Sequence, residues 1–161
     1  MLDVARLLAS SQVGPPNDAM VRRSISTAYY ALFHTVLEAG ADRFFGAHKR
    51  AQAGHAILYR SFDHGRMKRV CEDAARSSLA PTLQRQLRRT SFDPGLRRFA
   101  GAFVLLQASR HAADYDPAVR LQHEDALAAI GRAEQASTSF AAAPDDERSD
   151  LLALMLGGGR S

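Results

Sequence analysis

Two stretches of this 161-residue chain gather side chains that can hold a phosphate and move protons near it. In the first, Arg22 and Arg23 precede Ser26, Tyr29, Tyr30 and His34; in the second, Arg110 and His111 precede Asp114, Tyr115, Asp116 and Pro117. Arginine keeps its charge at any physiological pH and can grip a carboxylate or phosphate with two N–H groups. Histidine exchanges a proton near neutrality, and a tyrosine hydroxyl both donates and accepts. Arg23, Ser26, Tyr30 and His34 follow one another at offsets of three, four and four, so on a helix they form a strip beside the apolar face. Such a strip suits a cleft; it equally suits half-buried residues whose polar ends find ordinary partners. Arg110 falls on the last inward turn of its helix, where an unpaired charge would be very costly. It must meet Asp114 four residues on, the free carbonyls of the helix end, or a ligand anion.

The elements that would position these groups read as helices throughout. Leu2, Ala5, Leu8 and Ala9 recur at helical spacing before Gly14-Pro15-Pro16 stops them. Asn17 or Asp18 can cap a second helix with Val21, Ile25, Ala28, Leu32 and Val36 on its apolar face, predicted to run to about Glu38 and end near Gly40. Residues 47–78 carry Gly54 and Gly65 and only weak periodicity, consistent with one broken helix or two short ones. Pro81 opens a turn through Leu83 and Leu87. Asp93-Pro94 is a strong start signal for a helix carrying Leu96, Phe99, Phe103, Leu106 and Arg110 on one stripe, and the residue before Pro117 must leave the α region. An alanine-rich helix with Ala126, Leu127, Ile130 and Ala133 follows, and Pro144 with three acidic residues opens a last turn or two with Leu151, Leu152, Met155 and Leu156 on its apolar side. No alternation of strand type appears. The expected fold is all-α, an up-and-down antiparallel bundle of four to six helices over residues 1–142, with residues 143–161 a short helix and flexible tail.

Charge narrows the partners. Between Arg43 and Arg98 stand thirteen basic and four acidic side chains, whereas the remaining chain has eight basic and thirteen acidic. The middle third is therefore the candidate phosphate-binding surface, with Arg66, Lys68, Arg69, Arg88, Arg89, Arg97 and Arg98 as its residues; solvated helix faces would carry the same charges without converging. The one cysteine, Cys71, points to a reducing compartment, and the absence of a secretory signal or a long apolar run points to a cytoplasmic protein without a membrane partner. His48, His55 and His64 have no cysteine or acidic ligand set around them and read as surface histidines, so no metal is expected. Lys68 and Arg69 beside Cys71 would lower a thiol pKa, but a plain semi-buried thiol fits better. The glycines at 157–159 are no phosphate loop, and no cofactor is implied.

Residues 26–34 read S-T-A-Y-Y-A-L-F-H below the Arg22-Arg23 pair, and residues 110–117 read R-H-A-A-D-Y-D-P. These segments resemble the two signatures of the HEPN superfamily, and the resemblance extends over roughly residues 2–142. It implies an antiparallel helical bundle, usually a homodimer, whose later-helix motifs face each other across a cleft. It also implies an RNA- or nucleotide-binding protein, of a toxin-antitoxin or defence setting and of ribonuclease ancestry. Many members are metal-independent endoribonucleases that use an arginine and a histidine four to six residues apart; others scaffold a nucleotidyltransferase partner without catalysis. Here the offset from Arg110 lands on Asp114, Tyr115 and Asp116, so the usual Arg-x4–6-His pair is absent. A catalytic version would be built from Arg110, His34, Asp114 and Tyr115, with Arg23, Ser26, Tyr30 and His111 lining the cleft.

Overall fold

A computed structural model describes residues 1–10 and 17–157, and all the regular structure it contains is helical. Eight α-helices stand among the described residues, seven of them within residues 1–142 where four to six are expected: α1 (Leu2–Ala9), α2 (Asp18–Phe45), α3 (Ala53–Tyr59), α4 (His64–Ala74), α5 (Pro81–Leu87), α6 (Pro94–Tyr115), α7 (His123–Ala142) and α8 (Asp145–Gly157). A single 3₁₀ turn, Ala47–Lys49, follows α2. The expected break at Gly14-Pro15-Pro16 and the tail beyond Gly157 lie outside the described residues.

The long helix α2 is the axis of the bundle. It packs against α1, α3, α6, α7 and α8, which explains why apolar residues occupy most of its circumference rather than one stripe. Asn17 caps it by accepting the Met20 amide at 2.9 Å. The helix does not stop at Gly40. A β-carbon there would fall 2.3 Å from the Phe62 ring tip, so glycine serves to admit Phe62 against the helix, and the stop comes at Gly46, whose φ of 107° belongs to the left-handed region. Asp93 starts α6 by accepting the Gly95 amide at 2.6 Å. Gln122 and Asp125 cap α7 reciprocally.

The helix ends fix relative direction. Arg22, near the start of α2, reaches the carbonyls that end α6, so these two helices run in opposite senses. Helices α6 and α7 also pack together. The seven residues 116–122 that join them reach at most about 25 Å; α6 is about 33 Å long, so the chain must reverse between them. Helix α8 is longer than a turn or two, and Leu151, Leu152 and Met155 are buried in the same apolar cluster as Phe99, Phe103 and Leu106. It docks on its own chain. Salt bridges from Arg89 to Glu147 and Asp150, each 2.8 Å, and from Arg43 to Asp145, 2.6 Å, hold its acidic face.

Candidate phosphate-binding groove

The candidate groove lies where the first half of α2 meets the last turns of α6, with α3 and the start of α4 beside it, and its outer end is the surface pocket lined by Arg22, Asp114, Tyr115 and Pro117. Arg110 enters from α6. Its Nη2 donates to the Tyr30 hydroxyl at 2.7 Å, and its Nε lies 2.7 Å from Asp114 Oδ2. That second contact is off the N–H direction, so it acts as an ion pair rather than a directed hydrogen bond and leaves the Nε proton without an aligned acceptor. The guanidinium carbon sits 5.3 Å from the Tyr30 ring centre and 5.4 Å from that of Tyr115. Burial works against its charge, but Tyr30, Asp114 and Tyr115 outweigh it and hold the Arg110 pKa above its ordinary value. The side chain is one-fifth exposed, and Nη1 has no protein acceptor among the described residues.

Asp114 faces inward as well. The buried Ser26 hydroxyl donates to its Oδ1 while Arg110 holds its Oδ2, so both oxygens are engaged. Asp114 thereby braces Arg110 against α2. Arg22 supports this turn from below. It donates to the carbonyls of Ala113 at 3.2 Å, Asp116 at 2.9 Å and Val119 at 2.6 Å, and pairs with Asp18 at 2.6 Å. These are orphan carbonyls of a helix end and its following loop, which a cation satisfies well.

All four tyrosines of the chain meet here, together with His34, His64 and His111. The Phe33 and His64 rings stack 3.9 Å apart at 9°, and the Tyr29 hydroxyl lies 2.7 Å from His64 Nδ1. His34 stacks on Tyr30 and places Nδ1 2.6 Å from the Tyr59 hydroxyl. No hydrogen bond joins His34 to Arg110 among the described residues; Tyr30 neighbours both. Burial, joined by the Arg110 and His34 charges and opposed by Asp63, depresses the His64 pKa below its usual value. Burial pushes the Tyr29 hydroxyl up, so it stays protonated. Since the folded state disfavours the imidazolium form of His64, the unfolded chain binds more protons. The stabilisation is complete above the unfolded value near 6.5 and fades as pH falls through the lower folded value. Thermal denaturation between pH 7.5 and 5 is expected to show a falling Tm that His64→Asn flattens.

The sequence-derived residues divide. Ser26, Tyr30, Arg110, Asp114 and Tyr115 come together, with His34 one ring removed. Arg23 is exposed on α2, and it is its neighbour Arg22 that supplies the contact to α6. His111 is exposed at the rim, its ring 5.0 Å from that of Tyr115. Two arginines expected on the phosphate surface are used internally: Arg66 donates to the Leu156 carbonyl at 2.5 Å, and Arg89 is 18% exposed among the carboxylates of α8. Lys68 lies 3.6 Å from Glu72; Arg69, Arg88 and Arg98 are exposed and Arg97 half-buried, without carboxylate partners among the described residues. Of the histidines read as surface residues, only His48 is exposed. His55 is buried with Nε2 2.9 Å from Asp42, and His64 is half-buried. Cys71 is fully buried rather than half-buried, which raises its thiol pKa far above reactivity. Sequence reasoning foresaw neither the hold of Arg22 on the α6-end carbonyls nor the place of His64 in the aromatic cluster. The adjacent arginine pair marked the first, but nothing in the irregular pattern of residues 47–78 marked the second.

Among the described residues no three His, Cys, Asp or Glu side chains converge as metal ligands, and no helix is long and apolar enough to cross a membrane. Compared with protein-family models, with curated proteins and with solved structures, the chain matches none.

Proposed function

We propose that this chain is an RNA- or nucleotide-binding protein with a HEPN-like up-and-down bundle, and that the Arg110 groove is its phosphate site. The observation that carries the reading is the state of Arg110: charged, only one-fifth exposed, braced by Tyr30 and Asp114, and with one amine end uncommitted. A cation held in that way can offer Nη1 to a phosphate oxygen without reorganising, against the opposing charge of the Asp114 carboxylate 2.7 Å from Nε. Arg69, Arg88 and Arg98 are exposed without carboxylate partners among the described residues, but Arg98 stands about 18 Å along α6 from Arg110, so the reading rests on Arg110 itself and not on a continuous basic surface. The HEPN assignment itself rests on the two motifs in sequence, with their pairing across α2 and α6 in its favour.

Binding, not cleavage, is the reading favoured by the groove. Both Asp114 oxygens are engaged, no hydrogen bond joins His34 to Arg110 among the described residues, and His111 stands at the rim. A HEPN-type homodimer in a toxin-antitoxin or defence setting, or a scaffold for a nucleotidyltransferase, is compatible with such a site. The test is RNA affinity by fluorescence anisotropy at ~50 and ~200 mM salt. Affinity is expected to fall steeply with salt, and Arg110→Ala to weaken it about tenfold while reducing the salt slope by about one. Absence of binding at either salt would contradict the proposal and leave the scaffold reading. Incubation of the same RNA in chelator separates binding from hydrolysis: intact RNA is expected with both proteins.

A further inference from the structure

The exposed aromatic rim beside Arg110 suggests which nucleotides the groove takes. Tyr115, the last residue of α6, is 63% exposed. One turn back, the exposed His111 ring stands 5.0 Å away, tilted 54° from the Tyr115 plane. The Arg110 guanidinium carbon lies 5.4 Å from the Tyr115 ring centre. Three planar groups from the last two turns of α6 thus come together, and the least exposed of them is the fixed cation. Most of the Tyr115 surface faces solvent, so no core packing holds its ring, and its aromatic contacts are the Arg110 guanidinium and the His111 ring.

We infer that Tyr115, flanked by His111, is a stacking platform for an unpaired nucleobase whose own phosphate is held by Arg110. The ligand class is a nucleoside monophosphate unit with its base free, whether carried by single-stranded RNA or present as a free nucleotide. A base within a duplex is already stacked above and below and offers no face to a side chain, so duplex RNA can reach the arginines but not the platform. The inference rests on the phosphate-site reading of Arg110 and adds to it a choice between paired and unpaired bases.

The test uses a fluorescein-labelled, unstructured 12-nucleotide RNA, the same strand annealed to its complement, and competition by AMP and by ribose 5-phosphate. The intact protein is expected to bind the single strand about tenfold tighter than the duplex. AMP should compete better than ribose 5-phosphate, and competition at a concentration close to that of the RNA site would identify the free nucleotide as the natural source. Tyr115→Ala should abolish both preferences, and Tyr115→Phe, which keeps the ring and loses the hydroxyl, should retain them. Equal binding of single strand and duplex, with Arg110→Ala weakening both, would overturn the platform and leave the phosphate site standing. An equal loss for AMP and ribose 5-phosphate in Tyr115→Ala would show that Tyr115 only steadies Arg110, and would likewise overturn it. If no RNA or nucleotide binds, the platform and the phosphate site fail together.

Discussion

Phe103→Ala is expected to lower the free energy of unfolding by ~3–5 kcal/mol, a loss large enough to shift Tm by roughly 10 °C in a chain of this size. Phe103 has no exposed surface, and its ring meets Tyr29 edge-on at 5.6 Å and Phe99 at 6.1 Å. Removing it would take away the apolar burial of a whole ring and leave a cavity that a rigid helical interface closes only in part. The effect should also travel. Tyr29 loses the wall that holds it against His64, so the aromatic floor of the groove loosens along with the core. Leu105→Ala, on the same helix but 55% exposed, is the control and should change stability by less than about 0.5 kcal/mol. Urea denaturation of both variants checks this, and a Phe103→Ala loss below ~1 kcal/mol would mean that α2 and α6 do not pack as described.

The second large effect is expected from Arg22→Ala. One side chain, 17% exposed, serves the carbonyls of Ala113, Asp116 and Val119 and the carboxylate of Asp18. Charge-assisted hydrogen bonds of this kind are worth ~1.5–3 kcal/mol, and here several depend on one residue, so a loss of at least ~2 kcal/mol is expected. The amides of the last turn of α6 should exchange with solvent markedly faster than those of its first half, since the turn that carries Asp114 and Tyr115 is no longer fastened. Arg22→Lys should rescue little, because a single ammonium cannot span carbonyls that the planar fork reaches together. Full rescue by lysine would show that charge alone is needed at this position and that the fork geometry is not.

These two residues also show how far the sequence could be read. Helix identity was legible wherever a local signal coincided with a tertiary one. Asp93-Pro94 starts α6, and the aspartate before Pro117 ends it, because capping and proline sterics act within a few residues. The stripe from Leu96 to Arg110 faced inward as its period required, and Asp114 four residues on did meet Arg110. What failed was whatever depended on groups distant in sequence. Gly40 looked like a stop, and only the ring of Phe62, brought in by the fold, shows why a glycine sits inside the helix. Arg66 and Arg89 looked like phosphate ligands because their partners, the Leu156 carbonyl and the acidic face of α8, lie 57 to 90 residues away. Arg22 passed as one of a basic pair for the same reason. His64 sits at the start of a helix whose surroundings carry little periodicity, and its stacking on Phe33 follows from the packing of α4 alone.

The central claim is that the uncommitted end of Arg110 receives a phosphate. Its most direct measurement is the side-chain N–H signal of Arg110 in a ¹⁵N NMR titration with single-stranded RNA, the signal being assigned by its loss in Arg110→Lys. The account predicts a saturable shift of that signal at RNA concentrations that also saturate anisotropy. A titration in which exposed arginines such as Arg88 and Arg98 respond while Arg110 stays unmoved would contradict it.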